Sequence, residues 1–124
     1  MDPVDALAAV RDAALRLPET SERLSHGAPT FFVRGKKSFV MFHDDHHGDG
    51  RLAIWCAAPE GVQTLVVEED PSRFFVPPYV GYRGWLGLRL DVDADVDELA
   101  QVVEDAYRAV APKRLVAELD DQAP

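Results

Sequence analysis

Cysteine is almost missing from this chain: Cys56 stands alone among 124 residues, so no intrachain disulfide can form. A lone thiol suits a reducing compartment. Its neighbours Ile54, Trp55 and Ala57 predict a buried structural role rather than a nucleophile. Long apolar runs are missing too, since charge, Gly or Pro interrupts each one well short of the roughly 20 residues that a membrane helix needs. No basic stretch followed by an apolar segment opens the chain, because Met1-Asp2-Pro3 leads directly into alternating charged and apolar residues. A cytoplasmic protein without membrane association is therefore expected. There is no internal repeat, low-complexity segment, paired catalytic carboxylates, nucleophile elbow or zinc-hydrolase motif, so a non-enzymatic, monomeric binding protein without a cofactor is expected.

Basic residues are also scarce, with 13 Lys and Arg against 22 Asp and Glu, for a formal net charge of -9. The deficit is uneven: Met1 to Glu19 carries net -2, Thr20 to Leu90 is balanced, and Asp91 to Pro124 carries net -7. Inside the balanced middle lie two stretches without any acid. Arg23 to His43 holds Arg23, Arg34, Lys36 and Lys37, and Pro71 to Leu90 holds Arg73, Arg83 and Arg89. Two such stretches can form a local attractive patch for anions inside a repulsive global field.

Apolar residues Leu7, Val10, Ala14 and Leu17 predict an amphipathic helix over 4–17, capped by Asp2 with Pro3 in its first turn and closed by Pro18. The period then changes. Phe31-Phe32-Val33, Phe39 to Phe42 and Leu52 to Trp55 are short aromatic and β-branched runs that predict successive strands in a meander. Arg34 to Lys37 reads as a tight turn with Gly35 at positive φ, and Asp44 to Gly50 as an exposed polar loop. A further strand is predicted around Glu22 to Ser25, a short helix over 59–69, and a strand from Arg73 to Val76. The Pro77-Pro78 pair predicts a turn or extended crossing. From Trp85 to Asp91, Leu86, Leu88 and Leu90 alternate with Trp85, Gly87 and Arg89, so the leucines should face the core and Trp85 and Arg89 an exposed face. Val96, Leu99, Val103, Ala106 and Val110 predict a closing helix capped by Asp95 with Glu98, and Pro112 opens a shorter one through Leu119. The expected fold is a single α+β domain over 1–119, a two-layer sandwich with helices on one face of an antiparallel sheet, followed by a frayed tail at 120–124.

Ser25-His26-Gly27-Ala28-Pro29-Thr30-Phe31, the Gly35-Lys36 turn, Pro78-Tyr79-Val80, Gly84-Trp85-Leu86 and Ala111-Pro112-Lys113-Arg114-Leu115, taken together and in order, resemble the MmcQ/YjbR family. The resemblance spans Leu17 to Leu115 and implies a small α+β domain similar to the frataxin and CyaY fold. It also implies the DNA-binding role commonly ascribed to that family.

The residues themselves offer a site of the same kind. Arg34, Lys36 and Lys37 on a hairpin tip, with Arg83 and Arg89, could contact phosphates, while Tyr79, Tyr82 and Trp85 could stack on bases. His26 joins this set through its closeness in sequence to Arg34 and Lys36. It is not expected to pair with Ser25, because neighbours on a strand point to opposite faces. The candidate DNA- or anion-binding residues are thus His26, Arg34, Lys36, Lys37, Tyr79, Arg83, Trp85 and Arg89. A small anionic ligand and a protein partner on the exposed sheet face are the competing readings. His43 to Asp49 gathers three imidazoles and three carboxylates in a spacing that matches no familiar metal motif, so a solvated loop, not a metal site, is expected.

Overall fold

The N–H of Asp5 donates to the Asp2 carboxylate at 2.8 Å and Pro3 occupies the first turn, so helix α1 (Pro3–Leu15) starts as predicted. These and the following features come from a computed structural model that describes residues 1–122. Helix α1 stops two residues before the predicted Leu17, since a residue preceding proline is pushed out of the α region. The chain then lays down strands β1 (Thr20–Ser25), β2 (Ala28–Val33), β3 (Lys37–Asp44) and β4 (Leu52–Cys56) as an antiparallel meander. Helix α2 (Val62–Glu69) and the two-residue strand β5 (Phe74–Phe75) follow, then strand β6 (Leu86–Arg89) and helices α3 (Val96–Val110) and α4 (Lys113–Gln122).

Strand β6 inserts between β4 and β5, giving the order β1-β2-β3-β4-β6-β5 with every pair antiparallel. The six-residue β1 and the two-residue β5 are therefore the edges. Both turns flanking β2 reverse through consecutive positive φ angles, His26-Gly27 and Arg34-Gly35, the signature of a hairpin turn whose twist matches its strands.

Leu86, Leu88 and Leu90 are all at least 97% buried and face the helical layer, as the alternation predicts. Their cross-strand partners Cys56 and Ile54, and then Val40 and Phe42, continue the same face across the sheet. In β3 an extra residue, Phe39, interrupts the register between Phe31↔Val40 and Phe32↔Ser38, which explains why Phe39 and Val40 are both fully buried. Phe39 meets Tyr107 of α3 edge-on, with ring centroids 5.8 Å apart, and the Tyr107 hydroxyl donates to the Pro18 carbonyl at 2.8 Å. The Asp95 carboxylate caps α3 by accepting from the N–H groups of Asp97 and Glu98. Glu98 does not return to the cap but pairs with Arg73 at 3.0 Å, tying α3 to the start of β5.

Two expectations need correction. The opposite face of the sheet is not bare, because the chain between β5 and β6 folds across it, and Trp85 is 3% exposed where the alternation predicted an outward ring. Helix α4 runs through Gln122, with Asp120 accepting from Arg108 at 2.8 Å, so order extends past the predicted limit at Leu119. The last two positions of the expected frayed tail lie outside the described residues. Among the described residues no helix is long and apolar enough to cross a membrane.

Candidate functional site

All four histidines of the chain, from three separate places in the sequence, line one hollow of about 490 Å³ together with Trp55 and Tyr79. Strand alternation sets its floor. Met41 pairs with Trp55, and His43 lies two residues further along β3 on the same face, diagonal to the indole. The His43 ring settles on Trp55 with centroids 3.7 Å apart. Trp55 is 3% exposed.

The loop after β3 brings in the next wall. Asp45 adopts a left-handed conformation, its carboxylate accepts from Gly50 N–H at 2.7 Å, and the Asp49 carboxylate accepts from Arg51 N–H at 2.9 Å. These bonds fold the loop back so that His46 meets His43 at 4.8 Å and Trp55 at 4.7 Å, both edge-on. The solvated loop expected from sequence is thus half-buried at His46. Its Asp45 and Asp49 carboxylates are engaged in shaping the backbone. Among the described residues no three His, Cys, Asp or Glu side chains are grouped so as to hold a metal ion.

Ser25 and His26 form the third wall. The strand alternation from which their divergence is expected does not apply, because His26, at φ +52°, is a turn residue and not a strand residue, and both residues line the hollow. His26 also joins His43 and His46 around an adjoining hollow of about 290 Å³ beside Pro29 and Asp44.

Tyr79 closes the mouth. Its φ is +64° and Val80 N–H donates to the Pro78 carbonyl at 2.7 Å, which makes Tyr79 the centre of a γ-turn of the strained, positive-φ kind. The ring is 71% exposed and touches the site only by approach, 5.9 Å from His46 and 6.5 Å from Trp55 between centroids.

No Lys, Arg, Asp or Glu is among the residues that line the hollow. Burial, reinforced by the neighbouring His46 and opposed by Asp49, pulls the His43 imidazole down to a pKa of about 4, so it is uncharged near neutrality. Nε2 of His43, Nε2 of His46 and Nε1 of Trp55 are buried without a hydrogen-bond partner. Leaving such a group unpaired costs about 1–3 kcal/mol each.

The residues singled out from sequence separate into different places. His26 and Tyr79 belong to the hollow just described. Arg34, Lys36 and Lys37 surround a second hollow of about 500 Å³ at the β2–β3 tip, where the α3–α4 junction contributes Lys113 beside Pro112. Arg34 shares Glu19 with Arg114, at 3.8 and 3.0 Å respectively. Arg89 aligns with Ala53 and hence with His43, six residues along β3 from Lys37, about 20 Å away at the usual strand rise. There its guanidinium forms two bonds to Asp91 at 2.9 and 3.0 Å. Arg83 lies over the buried Trp85 ring at 5.1 Å. Arg89 therefore does not join Arg34, Lys36 and Lys37 in one stripe.

Sequence reasoning missed His43, His46, His47 and Trp55 as members of one site. The available signal was parity: Met41 and His43 share a face of β3, and a tryptophan on the adjoining strand shares it too. Cys56 is fully buried with its thiol pushed up to about 12, chiefly by burial and secondarily by Asp105, so it contributes no nucleophile.

The comparisons with known proteins bear on the fold and the family. The crystal structure of Deinococcus radiodurans protein DR2400, which carries a DUF419 domain, superposes with a TM-score of 0.72 at 17% identity, covering 94% of this chain and 87% of that one. At that identity the likeness speaks for the fold alone. No curated protein matches the sequence. The YjbR family model matches residues 15–109, which takes in the His26-Gly27 turn, the Tyr79 crossing and all six strands of the sheet. The chain belongs to the YjbR family.

Proposed function

We propose that this protein is a non-enzymatic, small-molecule-binding domain whose site is the hollow between the outer sheet face, the His46 loop and Tyr79. One observation carries the reading: six aromatic rings from separate segments converge there, and three of their ring nitrogens have no partner. Binding sites are concave, largely apolar, and furnished with a few convergent polar groups. A binding role rather than turnover is favoured by the inert Cys56 thiol and by a wall without carboxylates among the residues that line the hollow. We place the protein in the cytoplasm, in keeping with its unpaired thiol.

Amide and indole chemical-shift mapping against a panel of neutral and anionic metabolites tests this. Shifts should cluster on His26, His43, His46, Trp55 and Tyr79. A panel that moves none of them, or moves only the β2–β3 tip, defeats the reading.

A second reading draws on the tip itself. Lys113 adds to Arg34, Lys36 and Lys37 around one hollow, a set that suits a phosphate or a DNA backbone. Labelled DNA titrated at low and at physiological salt decides it. Binding should weaken steeply with salt and fall in a Lys36→Ala, Lys37→Ala, Lys113→Ala triple variant. No binding at low salt removes it.

A further inference from the structure

We propose that the hollow beside Trp55 takes an uncharged, planar nitrogen heterocycle of one or two fused rings whose edge mixes hydrogen-bond donors and acceptors. This rests on the small-molecule reading above and narrows it to a chemical class.

The walls argue first against charge. No Lys, Arg, Asp or Glu side chain lines the hollow, so an ionised ligand would shed its hydration without a counter-charge to replace it. The rings argue for planarity. Trp55, Tyr79 and the imidazoles present faces and edges, and aromatic partners gain from offset or edge-on approach beyond the area they bury. Tyr79 and Trp55 stand 6.5 Å apart, slightly less than two ring-to-ring spacings of about 3.5–4.0 Å each. The two rings are tilted by 48°, so a swing of the exposed Tyr79 ring that brings it parallel to the indole and slightly outward admits one flat ligand between them.

The unpaired nitrogens argue for the mixed edge: all three are shielded from solvent, so only a ligand that enters among the rings as Tyr79 and the His46 loop give way can pair them. Indole Nε1–H can only donate, so it requires an acceptor. Imidazole Nε2 donates or accepts according to tautomer, so His43 and His46 adapt to whichever groups lie next to that acceptor. A purely hydrocarbon ring would leave all three unpaired, and sites with buried polar groups reject analogues that cannot pair with them far more strongly than apolar pockets reject a missing methylene. The strained γ-turn at Tyr79 fits the same purpose, since such backbone is found where position at a site matters more than local stability.

Hypoxanthine and adenine are suitable probes, neutral near pH 7 with mixed edges. Indole, planar with a donor but no in-plane acceptor, and benzoate, planar and anionic, are the controls. The readout is the indole Nε1–H signal of Trp55, assigned with the Trp85→Phe variant. Expected are saturable downfield shifts with hypoxanthine or adenine, at least tenfold weaker binding of indole and benzoate, and a tenfold or greater loss of heterocycle affinity in His46→Phe. Trp55→Phe should lose affinity as well, and His46→Phe, on a surface loop, guards against a variant that fails to fold. Indole binding as tightly as hypoxanthine overturns the class while leaving a small-molecule site. Binding of Zn²⁺ or benzoate but of neither purine overturns the class too. Silence of the Trp55 signal to every probe overturns both the class and the reading beneath it.

Discussion

His43 couples the site to the solvent. Its imidazole has a pKa near 4 in the folded protein against an ordinary 6.5, so between those values the unfolded chain binds more protons. The stability this group contributes is therefore complete above pH 6.5 and lost as pH falls toward 4. For a half-exposed ring the loss is on the order of 1 kcal/mol after solvent screening. Denaturation midpoints measured from pH 7 to 4 should fall less steeply in His43→Phe, which keeps a ring on Trp55, than in the parent; identical slopes would refute the assignment. Tyr79 makes an opposite kind of prediction. Replacing it with glycine relieves the positive-φ strain, partly offset by a more disordered unfolded state, so stability should hold or rise by up to about 1 kcal/mol. Ligand affinity should fall in the same variant. A Tyr79→Gly protein that is clearly less stable would show that the ring supports the fold instead of the site.

Among the elements, the edge strand β5 depends on a missing side chain. A Cβ on Gly87 would come within 2.5 Å of the Phe75 ring, so Gly87→Ala must displace that ring and with it loosen β5. The expected cost is about 1–3 kcal/mol in chemical denaturation, with hydrogen exchange accelerated first at Phe74 and Phe75. Most elements are legible in the sequence because their signals are local: the stripe of α3, the leucine alternation of β6 and the Asp2-Pro3 start of α1 each lie within a few turns of chain. Trp85 shows where that legibility ends. Its strand parity points outward, and nothing local tells that the Val76 to Gly84 crossing will cover that face. The site divides in the same way. His26 and Tyr79 stand in recognisable motifs, whereas the approach of His46 to Trp55 depends on loop bonds made by Asp45 and Asp49 and on register across two strands.

On the scale of the whole molecule, the central strands carry the greatest protection, and Cys56 reports on it. Fully buried in β4 between β3 and β6, its thiol should react with a neutral alkylating reagent only as fast as the entire domain opens. Labelling rates across denaturant should then parallel global unfolding; labelling that outruns it under native conditions would reveal a local opening of the sheet. Charge acts at this scale as well, since a net -9 chain repels polyanions overall, while Lys36, Lys37 and Lys113 gather positive charge at one tip. The two edges of the sheet differ in length, and the difference limits how copies can add to one another. Only β1, six residues long with Leu24 71% exposed, offers enough unpaired backbone to receive another strand, whereas β5 offers two residues. Two copies joined through β1 use up the same edge on both, so the contact is self-complementary and closes. Strand addition through β1 would therefore end at a pair.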